Sequence, residues 1–189
     1  MRRAFWLFLL FALVLVARDA AAEDVPVPVG LQAELLAKVA AYDRNLPERA
    51  GERVRVFLVQ KPGNDDSARA IVQMTGALGQ IGSIGGLPHD DIVVAWGGAA
   101  ALAQAVKTQR AAIVYFTPGF SGDADAIRAA FAGVDVLTVG AVPDYVPRGI
   151  VLGFDIVEGK PKLLVNLSQA AKQNVAFKAE VLKMMRVYP

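Results

Sequence analysis

The chain has 189 residues, 54% of them hydrophobic and 20% charged, with 17 Gly, 10 Pro, one His, no Cys and a formal net charge of +2. This excludes a disordered chain and supplies enough apolar surface for one packed domain. The absence of Cys excludes structural disulfides, thiolate metal sites, a thiol nucleophile and lipid attachment through a cysteine, and a single imidazole excludes any multi-histidine metal site.

Met1-Arg2-Arg3, an uncharged run from Ala4 to Ala17 and a small-residue end at Ala20-Ala21-Ala22 predict a secretory signal peptide over residues 1–22, cleaved after Ala22. The run is too short for a spanning helix, which needs roughly 20 apolar residues. Arg2-Arg3 hints at twin-arginine export, but the strongly hydrophobic run and short basic region suit the general secretory route better. Removing Arg2, Arg3, Arg18 and Asp19 takes the chain from 20 basic and 18 acidic residues to 17 of each. The basic pI thus belongs largely to the leader, and nothing indicates nucleic acid as a partner.

Beyond the leader, residues 23–30 form a Pro-punctuated extended lead-in. Leu31, Leu35, Leu36, Val39 and Tyr42 recur at helical spacing, predicting an amphipathic helix that stops near Pro47. Arg53 to Gln60 is a β-branched strand, ended by Lys61-Pro62-Gly63-Asn64. Asp65, Asp66 or Ser67 can cap a helix that runs to Leu78 and dissolves in the Gly-rich stretch 79–86. The rhythm repeats: strand Asp91–Trp96, turn Gly97-Gly98, helix Ala99–Lys107; strand Ala111–Phe116, loop 117–122, helix Ala124–Ala132 with Asp123 as a cap; strand Val134–Val139. Gly149–Ile156 and Lys162–Asn166 predict a hairpin turning at Glu158-Gly159 and forming an antiparallel edge. A short helix Leu167–Gln173 follows, with Asn174 as a left-handed stop, then a last helix Phe177–Tyr188 with Phe177, Val181, Met184 and Tyr188 on one face. Continuous apolar strands alternating with helices indicate βαβ units: an α/β fold, one Rossmann-like three-layer domain with a mostly parallel sheet.

The Gly-rich stretch 79–86 matches neither the dinucleotide nor the phosphate-loop spacing and precedes its strand; it reads as a connector. The loops after strands 91–96 and 111–116 share the carboxyl edge of a parallel sheet, where open α/β sheets bind ligands. Trp96, Gly97, Gly98, Thr117, Phe120, Ser121 and Asp123 are therefore the candidate ligand-binding residues, with Trp96 as plain core and Asp123 as plain helix cap the competing readings. Neither Ser83 nor Ser121 sits in a nucleophile elbow. His89, in Pro88-His89-Asp90-Asp91, reads as a solvated loop residue. Asp65-Asp66 and Asp90-Asp91 lack a third ligand for a metal. The expectation is a non-enzyme with no catalytic residues, no metal and no cofactor.

The carboxyl-terminal third resembles the YfiR-like family of exported bacterial proteins. The residues that carry the resemblance are Val136-Leu137-Thr138-Val139-Gly140, a Gly-led strand from Gly149 to Ile156 with its Glu158-Gly159 turn, the step Val165-Asn166-Leu167-Ser168-Gln169-Ala170, and Val181 to Val187 near the end. With a weaker match over Leu31 to Leu46, the domain spans 31–189. Three departures stand out: Asn174 where members often have Gly, Tyr42-Asp43-Arg44-Asn45-Leu46 where many have an aromatic Trp-Pro ending, and no cysteines for a disulfide switch. The resemblance implies a periplasmic regulator, part of c-di-GMP signalling, that binds the periplasmic domain of a membrane-bound sensor or diguanylate cyclase, modulated by a small-molecule ligand, with a homodimer as a further option. Tyr42, Arg44, Leu46, Arg186 and Tyr188 are the candidate partner-binding residues, as exposed aromatics and arginines are common anchors. The alternative is a small solute-binding protein of an ABC-type importer.

Overall fold

The computed structural model describes residues 23–189; the predicted leader lies outside them. Helix α1 (Val29–Ala40) and helix α2 (Leu46–Ala50) precede strand β1 (Val54–Gln60), helix α3 (Asp65–Leu78), strand β2 (His89–Ala95), helix α4 (Ala99–Gln109), strand β3 (Ile113–Phe116), helix α5 (Ala124–Phe131) and strand β4 (Leu137–Gly140). A one-turn 3-10 helix at Pro143–Tyr145 leads to strands β5 (Leu152–Val157) and β6 (Lys160–Asn166), helices α6 (Leu167–Lys172) and α7 (Ala179–Leu182), and strand β7 (Met185–Tyr188).

The seven strands form one sheet in the order β2-β1-β3-β4-β5-β6-β7. From β2 to β5 every pairing is parallel, and β5–β6 is antiparallel. The chain steps outward from β1 to β2, then back across β1 to β3. Because such crossovers are right-handed, α3 lands on one face and α4 on the other. α1 packs with α3, and α4 packs with α5. In the middle of the sheet β3 is wholly buried and β1 is buried from Val56 to Val59, as these apolar runs require, while Arg55 of β1 is exposed. The expected three-layer α/β architecture is present, with the hairpin at the expected end of the sheet.

Four local expectations are corrected. The predicted last helix is α7 followed by β7, whose Met185–Tyr188 pairs in parallel with Leu163–Asn166. Met185-Arg186-Val187-Tyr188 alternates as readily as it fits a helix, and the open edge of β6 supplied ladder partners, which decides such short segments. The first helix ends at Ala40, and Pro47 opens α2 instead of stopping α1, its missing N–H costing nothing in a first turn. The cap of α3 is Asn64, whose side chain accepts the Ser67 N–H at 2.8 Å; Asp65 and Asp66 lie inside the first turn. His89 is the first residue of β2 and is not solvated: its ring nitrogens contact Asp91 Oδ1 (2.9 Å) and the Ile81 carbonyl (2.8 Å), because the Gly-rich connector doubles back beside the strand. Asn174 is left-handed as expected, with φ of 53°.

Candidate functional site

The order of strands reverses at β1 and β3, so the crevice of this sheet lies between the loops that leave their carboxyl ends. Those loops are Lys61–Asn64 and Thr117–Gly122. They are stitched together. The Lys61 ammonium pairs with Asp123 and lies 5.5 Å from the Trp96 ring centroid and 5.1 Å from that of Phe120. Trp96, Phe116 and Phe120 meet edge to face, with Trp96 and Phe120 centroids 5.0 Å apart. Asp123 stands at the start of α5, but its side chain makes no cap bond there, because it is turned to Lys61.

The predicted ligand residues divide accordingly. Trp96, Phe120, Ser121 and Asp123 are brought together around the Lys61 ammonium and the 117–123 loop. Trp96 is half-buried, so it is neither pure core nor open wall. Thr117 lies behind the crevice: it is fully buried and its hydroxyl bonds the Val59 carbonyl (2.7 Å) and the Ser67 hydroxyl (2.5 Å). Gly97 and Gly98 make the turn into α4, Gly98 at φ 104°.

Glu23, from the lead-in, crosses the carboxyl edge and fills the centre of the site. Its carboxylate accepts the Gly119 N–H (2.7 Å), the Ser121 N–H (3.0 Å) and the Tyr145 hydroxyl. The Tyr145 oxygen itself accepts the Phe120 N–H at 2.8 Å, so the phenol proton is turned to the carboxylate. Successive backbone N–H groups of this kind form an anion-binding concavity. Burial alone pushes the Glu23 carboxyl up, but the donors from Tyr145, Gly119 and Ser121 together outweigh it and leave it below its ordinary 4.5. Burial, then the adjacent carboxylate, push the Tyr145 phenol upward, which keeps it a neutral donor.

Two glycines make this geometry. Gly119 sits at φ 107°, which L side chains rarely adopt, and a Cβ there would lie 2.9 Å from Asn64 Nδ2. Gly140, at the end of β4, lets the Tyr145 ring lie on the backbone, where a Cβ would be 2.9 Å from the ring. Below the site, buried Gln32 donates to the carbonyls of Val27 (2.9 Å) and Ala141 (3.2 Å) and accepts from the Tyr115 hydroxyl (2.8 Å). The lead-in is therefore pinned at Val27, and Glu23 closes a flap of residues 23–26. Lys61 and Tyr145 were missed from sequence, although both follow strands on the carboxyl edge, the same rule that selected Trp96 and Ser121. No local signal marks Glu23.

Of the candidate partner residues, Tyr42, Arg44 and Tyr188 lie at the opposite, amino edge. Tyr42 is 37% exposed beside Lys178, whose Nζ is 6.0 Å from its ring, and Arg44 is exposed. Tyr188 ends β7 at the same edge, opposite Asn166, whereas Arg186, opposite Leu164, is mid-strand and its guanidinium reaches away from that edge to within 3.8 Å of Asp155. Leu46 is corrected: it is 1% exposed and packs under Gly85, so it offers no surface to a partner. Beneath this edge, Arg49 donates to Asp43 (2.7 Å), Asp135 (2.7 Å) and the Asn174 carbonyl (2.9 Å). Asp43 also accepts the N–H groups of Asn45 and Ala176, which ties the α1–α2 loop to the segment before α7.

Among the described residues there is no cluster of His, Asp and Glu suited to a metal, and no helix long and apolar enough to cross a membrane. No curated protein matches the chain. Among the solved structures that share its fold are two at the same TM-score. One is a conserved domain protein from Vibrio cholerae, with a TM-score of 0.58 at 14% identity, covering 85% of this chain and 60% of that one. The other is an ABC domain in complex with L-Trp from Streptococcus pneumonia, with a TM-score of 0.58 at 11% identity, covering 85% of this chain and 61% of that one. The chain thus spans about three fifths of either structure. The model of the YfiR/HmsC-like family (DUF4154) matches residues 30–186, nearly the whole of the described domain, and the chain belongs to that family.

Proposed function

We propose that this protein is a periplasmic, non-enzymatic regulator that binds the periplasmic part of a membrane-bound sensor or diguanylate cyclase and adjusts its output in response to a small ligand. The observation that carries this reading is the family match over residues 30–186. The leader-like residues 1–22 support export. The two edges of the sheet suggest a division of labour. The carboxyl edge, with Lys61, Trp96, Phe120, Ser121, Asp123 and Tyr145, is the ligand end. The amino edge, with Tyr42, Arg44 and Tyr188, is the partner end, Arg186 on the exposed strand β7 extends it, and Leu46 plays no direct part. A ligand shifts partner binding only by favouring one state of the domain over another.

The second reading, a solute-binding protein of an importer, is favoured by the fold shared with the L-Trp-bound ABC domain, although likeness at 11% identity concerns the fold alone. One experiment separates them. The full chain, tagged and expressed with its leader, is recovered from envelope extracts and its bound proteins identified. Recovery of a sensor or cyclase is expected, and its loss on changing Tyr42, Arg44, Arg186 and Tyr188 to Ala would place the contact. Recovery of only a permease and its ATPase would overturn the regulator.

A further inference from the structure

We infer that the cradle at the carboxyl edge is a carboxylate-binding site whose resting occupant is the chain's own Glu23, and that its external ligand is a monocarboxylate with a neutral or cationic remainder. This rests on the reading of the carboxyl edge as the ligand end, though not on the identity of any partner.

Three donors converge on one point: the N–H groups of Gly119 and Ser121 and the hydroxyl of Tyr145. Tyr145 is 1% exposed and oriented by the Phe120 N–H, so its donor is preorganised for an anion. None of the three carries a charge, and the cations around the cradle are already engaged, Lys61 by Asp123 and Arg69 by Asp66. The cradle therefore suits one carboxylate better than a polyanion.

The occupant is tethered lightly. The hydrogen bonds of Gln32 anchor the lead-in only from Val27 onward; within the flap Val25 packs partly buried against the core and Asp24 is exposed. Glu23 separates two cavities, lining one of about 670 Å³ and another of about 240 Å³. The larger is bounded by Ser121, Val142, Asp144, Asp155 and Ile156. When the flap lifts, this space opens beside the cradle, large enough for a small organic acid. Its apolar side is Val142 and Ile156. Asp155 on its wall is paired with the Arg186 guanidinium at 3.8 Å, which leaves Asp144 as the carboxylate there that repels a second negative charge and accepts a positive one. A ligand whose carboxylate replaces Glu23 releases residues 23–26, so the flap couples occupancy to a change at the surface. A tethered competitor acts at an effective concentration of about millimolar, which sets the level of ligand that displaces it.

The test follows the Gly119 and Ser121 amide resonances in nitrogen–proton correlation spectra of the full chain, expressed with its leader and purified, as propionate, succinate or inorganic phosphate is added. In Glu23→Ala both resonances are expected to move saturably with propionate, toward their wild-type positions, and to ignore succinate and phosphate at the same concentrations. The wild type should respond with an apparent affinity about tenfold weaker, since its cradle is open for only a fraction of the time. Adding Tyr145→Phe should abolish the response. Glu23→Gln keeps the side chain's size, loses its charge and gives the same comparison if Glu23→Ala fails to fold. No saturable shift in either Glu23 variant, equal response in wild type and variant, or equal response to phosphate overturns the proposal. Recovery of a cyclase from the envelope does not affect this readout, so the site and the regulatory role can fail separately.

Discussion

The two edges of this sheet each hold a carboxylate, and they do so by opposite means. At the amino edge Asp43 meets the charged Arg49 guanidinium, with side chains 0% and 3% exposed, and every partner comes from a segment fixed at both ends. At the carboxyl edge Glu23 meets only neutral donors and belongs to a flap whose hydrogen-bonded anchor, Gln32, begins at Val27. A buried ion pair deprived of one partner leaves a charge with nothing to neutralise it, whereas a half-buried carboxylate withdrawn from neutral donors returns to water. The first arrangement locks a fold; the second can exchange its occupant.

That contrast breaks most visibly at Arg49. Arg49→Ala or Asp43→Ala should cost about 3–5 kcal/mol in denaturant unfolding, with the pair of changes costing much less than the sum of the two. A loss under about 1 kcal/mol from either would remove the distinction between the edges. Tyr145→Phe should cost about 1–3 kcal/mol, because the buried Phe120 N–H loses its acceptor and Glu23 loses a donor. Its effect should overlap with that of Glu23→Gln in a double-mutant cycle; strict additivity would mean that the two side chains do not act together.

Smallest is Glu23→Gln itself, at about 1 kcal/mol or less in neutral solution, because the carboxylate is only half-buried. Its pH dependence is sharper than its size. The folded-state carboxyl lies below its ordinary 4.5, so its contribution is fully present above that value and fades as pH falls through the lower folded one. Wild type should therefore exceed Glu23→Gln in stability at neutral pH and converge with it in acid. A difference that grew on acidification would contradict the cradle.

Much of the carboxyl edge was legible in the sequence, and little of the amino edge. Apolar runs such as Ile113–Phe116 can only be buried strands, and once they are parallel their following loops must share an edge, which located Ser121 and Asp123. The same logic reaches Lys61 and Tyr145. Glu23 and Gly119 are 96 residues apart, and Arg49 and Asp135 are 86 apart; contacts at that range leave no trace in local spacing. β7 escaped for a different reason: Met185–Tyr188 fits both periodicities, and only the free edge of β6 selects the strand. Leu46 was misplaced because an apolar residue after a helix looks the same whether it faces a partner or fills the space left by Gly85.

The central claim is that a ligand-binding edge and a partner-binding edge are joined in one regulator. It is tested most directly by cellular c-di-GMP in the producing bacterium, compared with the chain present, deleted, and replaced by a folded variant with Ala at Tyr42, Arg44, Arg186 and Tyr188. Deletion and the variant should raise c-di-GMP to the same level, with the intact chain holding it down. Unchanged c-di-GMP on deletion would contradict the account.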